Sequence, residues 1–87
     1  MVSKEVKVVN EQGMHMRPAS LLAQKATPFD CTVEINYNGG TFDAKSVMML
    51  MTACIKCGSE IEVVCDGPDE EAALKDVVEF IEAGMGD

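Results

Sequence analysis

With 87 residues, the chain is long enough for one hydrophobic core and too short for two, so a single domain over 1–87 is expected. A composition of 47% hydrophobic and 25% charged residues, with three prolines, excludes a disordered or collagen-like chain. Fifteen acidic side chains against seven basic ones give a net charge of −8, which argues against partners built on nucleic-acid phosphates or anionic lipid.

Val2, Val6 and Val8 share one parity and Ser3, Glu5 and Lys7 the other, the pattern of a half-buried strand. Asn10-Glu-Gln-Gly13 should end it. From Arg17 the period lengthens: Ala19, Leu22, Ala23 and Ala26 stand at helical spacing, and Pro18 falls where a first helical turn tolerates proline. Thr27-Pro28 closes that helix of about ten residues. Cys31, Val33, Ile35 and Tyr37 then alternate with polar residues as a second strand, and Asn38-Gly39-Gly40 is expected to supply the positive-φ turn into a short third strand around Phe42 and Ala44.

Ser46 can cap a short helix over Val47–Ala53, because its hydroxyl can accept from the unpaired amides of the first turn. Helical spacing there puts Val47, Leu50, Met51 and Cys54 on one face and leaves Met48 and Met49 exposed. Ile61, Val63 and Cys65 alternate with Glu60 and Glu62 as a fourth strand. Asp66-Gly-Pro-Asp69 makes the next turn. In the last helix, Glu70 and Glu71 suit the positive end, Leu74, Val77, Val78 and Ile81 form one stripe, and Gly84 follows. The order βαββαβα, with one apolar face per element, packs most economically as a two-layer α+β fold: a four-stranded antiparallel sheet with three helices on one face.

No apolar run approaches the length of a membrane span or signal core, so the expected compartment is cytoplasmic. There the four cysteines are expected to stay reduced, with Cys31 and Cys65 on the inward strand parity as small core residues. Cys54-Ile-Lys-Cys57 is a C-x-x-C motif in the loop after the second helix. No second such pair exists to complete a zinc site. A redox pair or half of a metal site is the functional reading of Cys54 and Cys57, and no bound metal is expected.

His15, the one histidine, lies between a strand end and a helix start. An anion beside it would meet unpaired amides at Met16 and Arg17, and the guanidinium of Arg17 adds a charge-assisted fork suited to phosphate. The positive end of the helix disfavours imidazolium and leaves a neutral ring nitrogen able to attack an electrophile such as a phosphoryl group. From spacing alone, a capping or surface histidine beside a solvated arginine accounts for the same residues.

Gly13-Met-His-Met-Arg-Pro-Ala19 resembles the G-x-H-x-R-P-A active-site motif of HPr, the histidine-containing phosphocarrier of the bacterial phosphoenolpyruvate-dependent sugar phosphotransferase system. Ala44-Lys-Ser-Val-Met48 resembles that family's regulatory serine motif, and Asp66-Gly-Pro-Asp-Glu70 also matches; the likeness covers nearly the whole chain. It implies an open-faced β-sandwich. It implies further that His15 takes a phosphoryl group on Nδ1 from phosphorylated enzyme I and passes it to enzyme IIA domains. Arg17 and the amide of Met16 would hold the phosphate. Such a chain is a covalent carrier rather than a free-standing enzyme, needs no cofactor, and is expected as a monomer in transient complexes.

In Gram-positive relatives the matching serine is phosphorylated by an ATP-dependent HPr kinase/phosphorylase, so the resemblance makes Ser46 a regulatory site and adds that kinase and a carbon-catabolite regulator to the partners. It also implies docking through Val47, Met48 and Met51; Met16 and Met49, where relatives usually carry Ala or Thr and Gly or Lys, are expected either to narrow access to His15 or to extend that apolar patch. This conflicts with the helical spacing over Val47 and Met51. Lys25, Lys45 and Lys56 are candidates for steering an acidic partner. Two rivals remain: a relay whose output is regulatory rather than transport, and a thiol redox or metal-binding module that uses Cys54 and Cys57.

Overall fold

Strand alternation decides which side of the sheet is covered. The computed structural model describes residues 1–9, 13 and 16–85. Its elements are β1 (Val2–Lys7), α1 (Met16–Ala26), β2 (Thr32–Tyr37), β3 (Gly40–Asp43), α2 (Val47–Thr52), β4 (Glu60–Asp66) and α3 (Glu70–Glu82). The turn expected over Asn10–Gln12, together with Met14 and His15, lies outside the described residues. The strands form one sheet in the order β1-β4-β2-β3, with every pairing antiparallel. This is the expected βαββαβα arrangement.

Register places like with like. Val6 faces Ile61, Ile35 faces both Val63 and Phe42, and Cys65 lies between Val2 and Val33. All but Val2 and Phe42, which are partly buried against it, form one buried core with Ala19, Leu22, Ala23 and Ala26 of α1, Leu50 of α2 and Ala73, Val77, Val78 and Ile81 of α3. A slip of one residue in any strand would turn its apolar set to water, at about 1.5–3 kcal/mol for each large side chain exposed.

The outward parity is polar and mostly acidic. Glu5 stands directly opposite Glu62 and Glu34 opposite Asp43, while Lys7 opposes Glu60. Asn36 relieves part of this: its Nδ2 donates to Glu62 Oε1 at 2.9 Å, and Thr41 Oγ1 donates to its Oδ1 at 2.8 Å.

Two expectations need correction. Asn38 (φ 52) and Gly39 (φ 81) alone make the hairpin turn, while Gly40 pairs with Tyr37 as a strand residue; two left-handed residues complete this kind of tight turn. In α3 the inner position belongs to Ala73, and Leu74 is only half-buried. Leu74 lies instead on the flank of the helix, lining a groove with Val2 and Lys4 at the edge of β1.

Asp69, expected as a turn residue, ties two loops together. Its side chain makes no cap bond to α3. The carboxylate instead accepts from the amides of Asp30 and Cys31, both at 2.9 Å, which fastens the end of α1 and the start of β2 to the β4–α3 turn. These bonds, with that of Asp30 the largest influence and the Cys31 thiol contributing, hold its carboxyl below the ordinary value of 3.8. Burial, aided by Asp69, pushes the Cys31 thiol up to about 11, and burial also raises that of Cys65.

A carboxyl whose folded value is depressed stabilises fully above its unfolded value and loses that contribution as pH falls through the folded value. Asp69→Asn should therefore lower the urea midpoint above about pH 5. The gap to the parent chain should close as the pH drops below 3.8. Chemical denaturation of both proteins across that range checks this, and a gap independent of pH would contradict it.

Candidate functional site

The loop that carries the histidine is anchored on both sides. Before it, Val8 exchanges backbone bonds with the segment leading into β4: its amide donates to Ser59 O at 2.9 Å, and its carbonyl accepts from Gly58 N at 2.8 Å. Gly13 is buried with φ +67, and a side chain there would run into the carbonyl of Ile55, with Lys56 Cα at 2.8 Å and Cys57 N at 3.0 Å. Only a glycine allows this approach and this dihedral together. After it, α1 begins at Met16. His15 and Met14 themselves lie outside the described residues; their chain neighbours on both sides are placed.

At the start of α1, Met16 is 65% exposed and Arg17 is also exposed, while Pro18 is buried. Pro18 lacks one of the N–H groups that a helix start leaves without an internal partner. The first turn contains no acidic residue. A cationic side chain at the positive end of a helix is electrostatically unfavourable, and an incoming anion reverses the sign by meeting the guanidinium and the helix amides at once. That absence of acid is visible in the sequence and strengthens a phosphate reading that rested on Arg17 and the amides.

α2 packs against α1. Ser46 caps it as expected: the hydroxyl accepts from Met49 N at 3.3 Å and the carbonyl from Leu50 N at 3.1 Å. The helix ends at Thr52, so the inward stripe expected through Met51 and Cys54 does not form. Leu50 and Ala53 take the inner positions; Cys54 lies beyond the C-cap with φ 55 and is exposed. Six residues are too few to hold the phase of a stripe that the following loop interrupts.

Met48 is 75% exposed, Met49 39% and Met51 36%, so with Met16 four methionines present apolar surface on two packed helices. Val47 is half-buried against the core and borders a shallow groove with Ser20, Gln24 and Lys45. Of the three lysines expected to steer a partner, Lys45 is engaged, its Nζ donating to Phe29 O at 2.6 Å. Lys25 lies 6.0 Å from the centre of the Phe80 ring, and Lys56 is exposed in the loop after α2.

All four cysteines are free, Cys31 and Cys65 buried, Cys54 and Cys57 exposed. Among the described residues no group of three or more His, Cys, Asp or Glu is placed to hold a metal ion, and no helix is long and apolar enough to cross a membrane.

Comparison with known proteins agrees with this geometry. Residues 2–83 match the family model described as the PTS HPr component phosphorylation site. The chain is 46% identical over 74 residues to the phosphocarrier protein HPr of Treponema pallidum, covering 85% of this chain and 84% of that protein. It is 39% identical over 82 residues to the HPr-like protein Crh of Halalkalibacterium halodurans, covering 94% and 98%. Its fold superposes on the crystal structure of HPr from Thermoanaerobacter tengcongensis with a TM-score of 0.95 at 31% identity, over 100% of this chain and 98% of that one. The chain belongs to the HPr family, the phosphocarriers of the bacterial phosphotransferase system.

Proposed function

We propose that this chain is a cytoplasmic phosphoryl relay in which His15 accepts the phosphoryl group from phosphorylated enzyme I and donates it to enzyme IIA domains. The observation that carries this reading is the start of α1 one residue after the histidine, with Arg17 exposed and no acid in the first turn. The neutral imidazole attacks phosphorus, the bond to the donor group breaks, and Arg17 with the first helical amides receives the equatorial oxygens. Passing the group on reverses these roles.

A relay must meet two partners through one nitrogen, which favours a shallow site flanked by adaptable apolar surface. Met16, Met48, Met49 and Met51 supply such a surface, since unbranched thioether side chains repack against different neighbours at small cost. Transient docking follows from the need to release each partner.

The likeness to Crh favours a second output, regulatory rather than transport. Ser46 would be its switch. A phosphate on that hydroxyl adds negative charge at the positive end of α2, where it is tolerated, while it changes the charge of the methionine surface beside it. An ATP-dependent kinase of the HPr kinase/phosphorylase type and a carbon-catabolite regulator are the partners this reading requires.

Incubation with enzyme I and labelled phosphoenolpyruvate should give one acid-labile, base-stable phosphate that disappears in His15→Ala; label retained in that variant would refute the assignment. Arg17→Glu should slow transfer by roughly tenfold or more while circular dichroism shows the fold retained, because the residue is exposed and an acid suits a helix start. An unaltered rate would remove Arg17 from the site. Ser46→Ala should cost about 0.5–1 kcal/mol through the lost cap, and Ser46→Asp should restore most of it, as thermal denaturation will show.

A further inference from the structure

The apolar surface that this chain leaves in water is made almost wholly of one kind of side chain. Among the described residues the exposed large hydrophobics are Met1, Val9, Met16, Met48, Met49 and Met51, so every one except Val9 is a thioether. The leucines, isoleucines and phenylalanines are buried or half-buried. Met16 is 65% exposed at the start of α1 and Met48 75% exposed at the start of α2, with Met49 and Met51 less open beside it. The two helices pack on each other.

Two other methionines set the contrast. Met85 is wholly enclosed by the core. Met1 is exposed but stands at the other end of β1 from the segment that leads into α1, its ammonium 2.8 Å from Glu70 Oε2. α2 is held to the core by Leu50 and Ala53, so it needs none of its methionines for anchorage. Thioethers differ from other apolar side chains in one reaction: their sulfur is oxidised to a polar sulfoxide, which a reductase can reverse. Leucine or isoleucine in the same places would be inert.

We propose that Met16 and Met48 are sites of reversible oxidation by a hydroperoxide, and that their sulfoxides weaken docking of phosphorylated enzyme I; the second half rests on the relay reading. A sulfur lone pair attacks the outer peroxide oxygen, an S–O bond forms and the O–O bond breaks. The departing alkoxide or hydroxide takes the proton from the transferred oxygen. The thioether is oxidised to a sulfoxide, and the peroxide is reduced to an alcohol or water. A dithiol-dependent methionine sulfoxide reductase reverses the change: two thiols become a disulfide and the oxygen leaves as water.

The oxidised side chains still stand in water, so the free chain keeps its fold. A partner that presses an apolar surface on them must strip water from two S=O groups, and a polar group buried without a hydrogen bond is penalised. The penalty falls on binding rather than on the transfer step, because these side chains face the partner and not the phosphoryl group.

The test treats the native chain with limiting hydrogen peroxide, removes the peroxide, adds dithiothreitol to restore any oxidised Cys54 or Cys57 thiol, and maps the remaining oxygen by peptide mass spectrometry. Met16 and Met48 should carry it while Met85 stays unmodified, and Cys31 and Cys65 should remain closed to alkylation in the folded chain. With the oxidised carrier as substrate of phosphorylated enzyme I, KM should rise about tenfold with kcat little changed, and the reductase should restore it. In Met16→Leu/Met48→Leu the treated and untreated forms should share one KM, whatever its basal value. Oxygen spread evenly over Met16, Met48 and Met85, or opening of Cys31 and Cys65, would overturn the sites. Sulfoxides without a change in KM, or a rise that persists in the double variant, would overturn the effect on docking. An untreated chain that accepts no phosphoryl group overturns the relay reading and the docking effect with it, and the mass map then decides the sites separately.

Discussion

The contact of Gly13 with Ile55, Lys56 and Cys57 is the constraint on which the rest of the site depends. A loop between an edge strand and a helix has no ladder of its own and would wander without an anchor. Here the anchor is backbone against backbone, which needs neither a side chain nor a deep pocket and therefore fits an 87-residue domain. It carries the chain from the end of β1, held by Val8 to Gly58 and Ser59, to the first turn of α1. The chain is thereby fixed at Gly13 on one side and at the start of α1 on the other.

That geometry explains how little else the site requires. In the proposed relay the helix start would supply donors and partial charge without folding energy beyond what the helix already commits, and the exposed Arg17 would add a full charge. Leu50 and Ala53 hold α2 to the core and let its methionines face outward. On the proposed relay reading the catalytic demand is modest: the phosphoryl group would arrive activated on one protein and leave on another. A cradle open to both is worth more than an enclosed cavity.

Much of this was legible in the sequence because it follows from period and from residues with few conformational options. The alternation in β1, β2 and β4 fixed which valines and isoleucines are buried, Pro18 marked a helix start, and Ser46 marked a cap. Errors arose where a local pattern was extended past its physical limit. The stripe through Met51 and Cys54 assumed a helix longer than Val47–Thr52, and Gly40 was read with its neighbours as turn when strand pairing claimed it. Ala73 displaced Leu74 because the space beneath α3 suits a small side chain and the rim beside β1 accommodates a large one. Asp69 was invisible in its real role, since its partners are amides 38 and 39 residues away and no local pattern announces a long-range acceptor. The motif around His15 was legible only as a resemblance; its histidine lies outside the described residues.

The outward face of the sheet, where Glu5 meets Glu62 and Glu34 meets Asp43, has a consequence for encounters in a crowded cell. Two copies that drift together flat side to flat side bring rows of carboxylates face to face, and the repulsion grows as water is squeezed from between them. Such collisions separate quickly. For two copies of this chain the sheet thus acts as the slippery side of a coin, and a pair that lingers does so on the reverse.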